Sequence, residues 1–112
     1  MPTILDDAIS SAADLAPLAA VQPGAVVSRT LLKTSGGTLT LFAFDQGQGL
    51  SEHSTPHEAT VLIVEGTARI TVGGETHTVR PGQVLHLPAT VPHALDAPEP
   101  FKMLLVMHRT TD

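Results

Sequence analysis

Gly47-Gln48-Gly49-Leu50-Ser51-Glu52-His53 and, further on, Gly82-Gln83-Val84-Leu85-His86-Leu87-Pro88-Ala89-Thr90-Val91-Pro92-His93 are the stretches whose reading decides the fold. Each begins at a turn glycine and ends in a histidine. Between them lie short apolar runs punctuated by Gly66, Gly73-Gly74 and Pro81-Gly82. Short runs with such punctuation read as strands joined by tight turns. Two histidines on different strands, set at fixed offsets from turns, can meet inside a small closed sheet. Imidazole is the commonest protein ligand for transition metals, so such a meeting has chemical consequences.

Working outward, the period of two persists over most of the chain. Ala25 to Leu32 reads as a strand. Thr38 to Asp45 alternates, with Leu39, Leu41 and Ala43 on one face and Thr40, Phe42 and Phe44 on the other. Thr60 to Glu65 (Thr-Val-Leu-Ile-Val-Glu) is apolar on both faces, so both must be covered, by the barrel interior and by a further layer or subunit. Thr67 to Val72 and Glu75 to Arg80 flank the Gly73-Gly74 hairpin signal. Gln83 to Leu87, His93 to Ala97 and the very apolar Phe101 to His108 complete a set of about nine strands, counting Leu50 to His53. Such a series argues for an all-β sandwich or barrel. Before it, Leu5 to Ala20 is the one stretch with helical composition, stopped at Pro17. The expected organisation is an N-terminal helical or extended arm over 1–24 and a single barrel domain over 25–109.

Bulk properties narrow the function. The 112 residues suit one domain able to bury its own core. No cysteine is present, which excludes disulfides and thiolate metal sites and suits a cytoplasmic location. The opening residues carry no basic, apolar leader, and no run is long enough for a membrane helix. A net charge of −5 with three aromatic residues and no basic patch disfavours nucleic acid. Serines lack a nucleophile-elbow context and no helix follows the paired glycines, so neither a serine hydrolase nor a phosphate loop is expected.

The two quoted fragments resemble the two motifs of the cupins, and Val61-Leu62-Ile63-Val64-Glu65-Gly66 resembles the strand and turn that close the first motif. The likeness spans roughly Val26 to Val106. It implies an all-β, double-stranded β-helix (jelly-roll) barrel, here with a short N-terminal helical segment, usually a homodimer, with its site in the barrel mouth. It also implies four metal-ligand positions. His53 and His93 occupy two of them, whereas Thr55 stands at the second histidine's place and Ala59 at the glutamate's place.

His57 lies close to that gap. In one continuous strand His53 and His57 would stand about 13 Å apart at ~3.3 Å per residue. A chain reversal at Ser54-Thr55-Pro56 would bring them opposite each other, where Cβ atoms lie ~4.5–5.5 Å apart. The expected site is therefore His53, His57 and His93 around a divalent transition metal: Zn, Fe, Ni, Mn or Cu. His86 would add a fourth nitrogen if even positions of its strand face inward, and Glu58 is a carboxylate near the mouth. His77 and His108 read as surface groups. Three functions follow. The first is metal-assisted chemistry on a small organic molecule. The second is a metal-free pocket, walled by residues such as Val61 and Ile63, that binds or senses a small ligand. The third is a structural partner acting through its apolar strands.

Overall fold

The computed structural model describes residues 2–109. Its ten strands are β1 (Ile4–Leu5), β2 (Val26–Thr34), β3 (Gly37–Phe44), β4 (Gly49–His53), β5 (Glu58–Glu65), β6 (Ala68–Val72), β7 (Glu75–Val79), β8 (Val84–Leu87), β9 (His93–Asp96) and β10 (Phe101–His108). They form two sheets, with strand orders β1-β2-β3-β10-β5-β8 and β4-β9-β6-β7. Every neighbouring pair is antiparallel. The nine strands expected from Ala25 onward are β2 to β10. This is an all-β jelly roll.

The period-two pattern explains the packing. Inward-facing Phe44, Val61, Ile63, Leu87, Phe101 and Met103 of the larger sheet meet Ala68, Ile70, Val79 and Leu95 of the smaller one in a buried core. Phe44 and Phe101 stack with ring centroids 4.4 Å apart and planes 8° from parallel. Phe44 and Phe101 are register partners of β3 and β10, which places the two rings side by side on one face.

The alternate residues of β3 form a second, outer core. Leu31, Leu41 and Ala43 are buried there against Ala19, with Ile9, Leu15, Leu18 and Val21 packed around them. The additional layer required by strands apolar on both faces is therefore supplied, in part, by the N-terminal arm of the same chain. Val64 of β5 and Leu104 of β10 also touch this cluster. Beyond the arm's reach the outer face stays open, with Val84 65% and Val106 39% exposed.

The arm corrects one expectation. No α-helix spans Leu5 to Ala20; the segment holds β1 and two single 3-10 turns, Asp7–Ile9 and Ala16–Leu18. Helical composition is a weak prior that tertiary contacts override. Here the arm is pinned along its length. Asp6 N–H donates to the Leu31 carbonyl at 2.9 Å. The Arg29 guanidinium donates to both Asp6 carboxylate oxygens, at 2.6 and 3.0 Å, and to the Leu18 carbonyl. Lys102 Nζ donates to the Ala16 carbonyl at 2.8 Å. Arg29 bonds both Asp6 and Leu18, so the segment between them returns to one guanidinium, whereas a continuous helix over those residues would hold its ends ~18 Å apart. Among the described residues no helix is long and apolar enough to cross a membrane.

Candidate functional site at the barrel mouth

β4 and β9 are neighbours in the smaller sheet, and their register pairs His53 directly with His93. A register shift between Leu50 and His53 bends β4 as it ends. The result is a direct contact between the imidazoles, with the two Nε2 atoms 3.1 Å apart. Ring centroids are 4.3 Å apart and the planes lie 68° from parallel. The rings thus sit beside one another with their Nε2 atoms leaning together.

Each Nδ1 faces the backbone carbonyl two residues earlier. His53 Nδ1 lies 2.8 Å from the Ser51 carbonyl, and His93 Nδ1 lies 3.4 Å from the Val91 carbonyl. A carbonyl only accepts, so the short contact fixes a proton on His53 Nδ1. In the neutral ring His53 Nε2 is then a bare acceptor. The bond between the rings therefore needs its proton on His93 Nε2. The longer Val91 contact is beyond ordinary N–H···O range and is consistent with that tautomer. His93 is buried, while His53 opens to solvent. Burial, followed by the nearby His53 imidazole, holds the His93 pKa below the ordinary histidine value.

The loops carrying the two histidines are tied together. Thr90 N–H donates to the Thr55 carbonyl at 2.7 Å, which joins the β8–β9 loop to the β4–β5 loop. Thr90 holds a left-handed backbone, with φ of 68°. A β-branched residue rarely adopts that conformation, and its strain is held in place by the surrounding bonds.

Below the pair lies a cavity of about 130 Å³, lined by His53, Thr55, Ala59 and His93 together with Phe42, Leu50, Leu87, Leu95, Met103, Leu105 and Met107. All four positions that the cupin likeness singles out therefore border one space. Ala59 sits between its register partners Leu87 and Met107, with no carboxylate among the three. The apolar walls expected from Val61 and Ile63 come from other residues; both belong to the buried core instead. Met103, Leu105 and Met107 share a face of β10 by period two, and Met103 pairs with Phe42. The signal for these walls was present in the alternation of β10, but sequence alone does not say at which height the barrel leaves a gap.

His57 is not among the residues lining the cavity. β4 and β5 belong to different sheets, so the chain crosses between sheets over Ser54 to His57 and does not fold back as a hairpin. The reversal that would set His57 opposite His53 is absent for that reason. His57 Nδ1 is instead buried without a hydrogen-bond partner. His86 and Glu58 point away from the interior. Leu87 is the inward residue of β8, and His86 Nε2 bonds the Glu58 carboxylate at 2.6 Å on the outer face. The His86 bond, followed by that from Ala89 N–H, holds the Glu58 carboxyl below the usual carboxylate range.

The two Nε2 atoms meet part of what a metal ion needs. Nitrogens 3.1 Å apart can be closed by two bonds of ~2.0–2.1 Å, and an Nδ1 facing a carbonyl is the outer support that metal-bound histidines use. The set stops at two, however. Among the described residues no three His, Cys, Asp or Glu side chains are grouped to hold an ion. Thr55 and Ala59 complete the family's four positions without a strong ligand, so the residues do not make the full metal centre.

Comparisons with known proteins agree with the architecture. Residues 40–107 match the cupin domain. A conserved protein of unknown function from Streptococcus pyogenes superposes with a TM-score of 0.86 at 38% identity, over 92% of this chain and 90% of that one. A cupin superfamily protein from Desulfitobacterium hafniense gives 0.83 at 30% identity, over 86% and 88% of the two chains. A cupin 2 conserved barrel domain protein from Leptotrichia buccalis gives 0.82 at 33% identity, over 85% of this chain and 46% of that one. No curated protein matches the sequence significantly. The domain match, the shared barrel and two histidines at the motif ends together show that the chain belongs to the cupin family.

Proposed function

We propose that this cupin binds a small organic molecule in the cavity beneath the His53–His93 pair, with the imidazoles as its polar anchor. The observation that carries this reading is the pairing of two mutually bonded histidines with walls that are otherwise almost wholly apolar. Binding pockets are typically apolar with a few convergent polar groups that set orientation. The volume limits the guest. A cavity of ~150 Å³ accommodates benzene, so a body of about five or six carbons is the upper size here.

The test is a titration of ¹⁵N-labelled protein with pentanoic acid and 2-pentanone at millimolar concentration. Amide resonances of Leu50, Ala59, Leu95 and Met103 are expected to move, and to stop moving in Ala59→Leu, which fills the space. Absence of any movement at these residues with both probes overturns the reading.

A second reading is favoured by one observation, the leaning together of the two Nε2 atoms with the His53 ring held from behind by the Ser51 carbonyl. In it, His53 and His93 hold a divalent transition metal, and His57, the third donor expected from the sequence, would have to move from its place outside the cavity lining to join them. A bound metal would supply Lewis acidity at the cavity mouth. Metal analysis of tag-free protein separates the readings. Stoichiometric metal that is lost in His93→Ala supports the second, and equal trace metal in both proteins removes it.

A further inference from the structure

The tautomers at the mouth specify the ligand's head group. This step rests on the metal-free small-molecule reading above. His53 Nδ1–H donates to the Ser51 carbonyl, so His53 Nε2 offers a lone pair to the cavity. His93 Nε2 offers an N–H. The pair is thus one acceptor and one donor, 3.1 Å apart, at the polar end of the cavity. With no guest they satisfy each other. A guest that enters between them must replace both halves of that bond, since a buried polar group left without a partner is costly.

We propose that the ligand is a small aliphatic molecule whose head carries a donor and an acceptor on one carbon and stays uncharged at neutral pH, a primary carboxamide. The carbonyl oxygen accepts from His93 Nε2–H, and the amide N–H donates to His53 Nε2. A ketone supplies only the first bond. An alcohol must serve both nitrogens from one oxygen, and nitrogens 3.1 Å apart then subtend only about 65–70° at normal hydrogen-bond lengths, a poor angle for a hydroxyl. A two-atom head spans the gap without that compression. Ala59 stands between Leu87 and Met107 on the cavity wall, so no protein carboxylate competes there for the guest's N–H. The apolar tail then lies against Phe42, Leu95, Met103 and Leu105.

The experiment compares pentanoic acid, pentanamide, 2-pentanone and 1-pentanol on chelator-treated full-length protein, read by amide shifts and calorimetry. His53→Phe is the companion variant; His53 is exposed, so the change leaves the core intact. At neutral pH the expected result is that the amide binds about tenfold or more tighter than the ketone, the alcohol and the ionised acid, which brings no donor, and that His53→Phe removes its preference over the ketone. Equal affinity for all four compounds, or a preference that survives in His53→Phe, overturns the head-group assignment and leaves the cavity-binding reading standing. Failure of all four to bind overturns both.

Discussion

His53 and His93 face each other as a register pair of β4 and β9, with their Nε2 atoms 3.1 Å apart and only one of the two rings fully buried. The bond orders their protons. Imidazole ¹⁵N spectra at neutral pH are expected to show His53 as the Nδ1–H tautomer and His93 as the Nε2–H tautomer. Finding Nδ1–H on both rings would mean that a cation lies between the Nε2 atoms, because two facing lone pairs repel.

The same burial gives a stability signature. The folded-state pKa of His93 is depressed, first by burial and then by His53. A depressed base binds fewer protons folded than unfolded, so its neutral form favours folding above the unfolded value near 6.5. That contribution falls away as pH drops below this value toward the folded pKa. The melting temperature is therefore expected to decline as pH falls from about 7 to 5.5, above the carboxylate range. In His93→Gln the decline should be shallower over the same window. Parallel curves for the two proteins would contradict the assignment.

The alternation of Leu39, Leu41 and Ala43 against Phe42 and Phe44 specified the two faces of β3, and the fold divides them between the outer and inner cores in that way. Such patterns are legible because side-chain direction in a strand has period two. The conformation of the arm was not legible. Its Ala and Leu content suits a helix, and its actual path is dictated by Arg29 and Lys102, which lie far away in sequence. At the site, His53 and His93 could be read from their offsets to turn glycines. The surroundings of His57 could not, because a turn signal at Ser54-Thr55-Pro56 serves equally for a hairpin and for a crossing between sheets.

Thr55 and Ala59 border the same cavity as the histidine pair, which makes the departure from the family's ligand pattern testable. Thr55→His with Ala59→Glu installs an imidazole and a carboxylate at those two positions. The double variant is expected to take up about one equivalent of Zn or Ni where the wild type retains little, with each single variant in between. Because Ala59 is buried, retention of fold is checked by far-UV circular dichroism and by recovery of thermal stability on adding metal. A folded double variant that binds no more metal than wild type would show that these four positions do not converge.

The arm acts as the outer wall of the larger sheet. Leu18→Asp places a charge against the cluster of Leu31, Leu41 and Ala43 without touching the inner core. The barrel should remain β-structured but bind a hydrophobic dye and associate at lower concentration, since an uncovered apolar face is an association surface. Arg29→Ala is expected to give a weaker version of the same effect, because the exposed pair with Asp6 is one anchor among several. Unchanged dye binding and unchanged mass in solution for Leu18→Asp would show that the arm is not needed as cover.

Gly66 closes the first motif, and its replacement tests how tightly the sheet ends are locked. It turns the chain from β5 into β6 with φ of +71°, and a Cβ built there would lie 2.1 Å from the Pro100 carbonyl oxygen and 2.8 Å from Phe101 Cα. Neither obstacle is a flexible side-chain tip; both are backbone. The clash also bears on Phe101, whose ring stacks on Phe44 at the centre of the inner core. Gly66→Ala therefore combines left-handed backbone strain with displacement of a core strand and should cost more than the ~1–2 kcal/mol of the strain alone. Gly74 is the control: it has φ of +85° and nothing within 4 Å of its added Cβ, so Gly74→Ala should cost only the strain. Urea denaturation of both variants separates the two contributions. Equal losses would show that β10 shifts freely at Pro100, and that the lock between the first motif and the last strand does not exist.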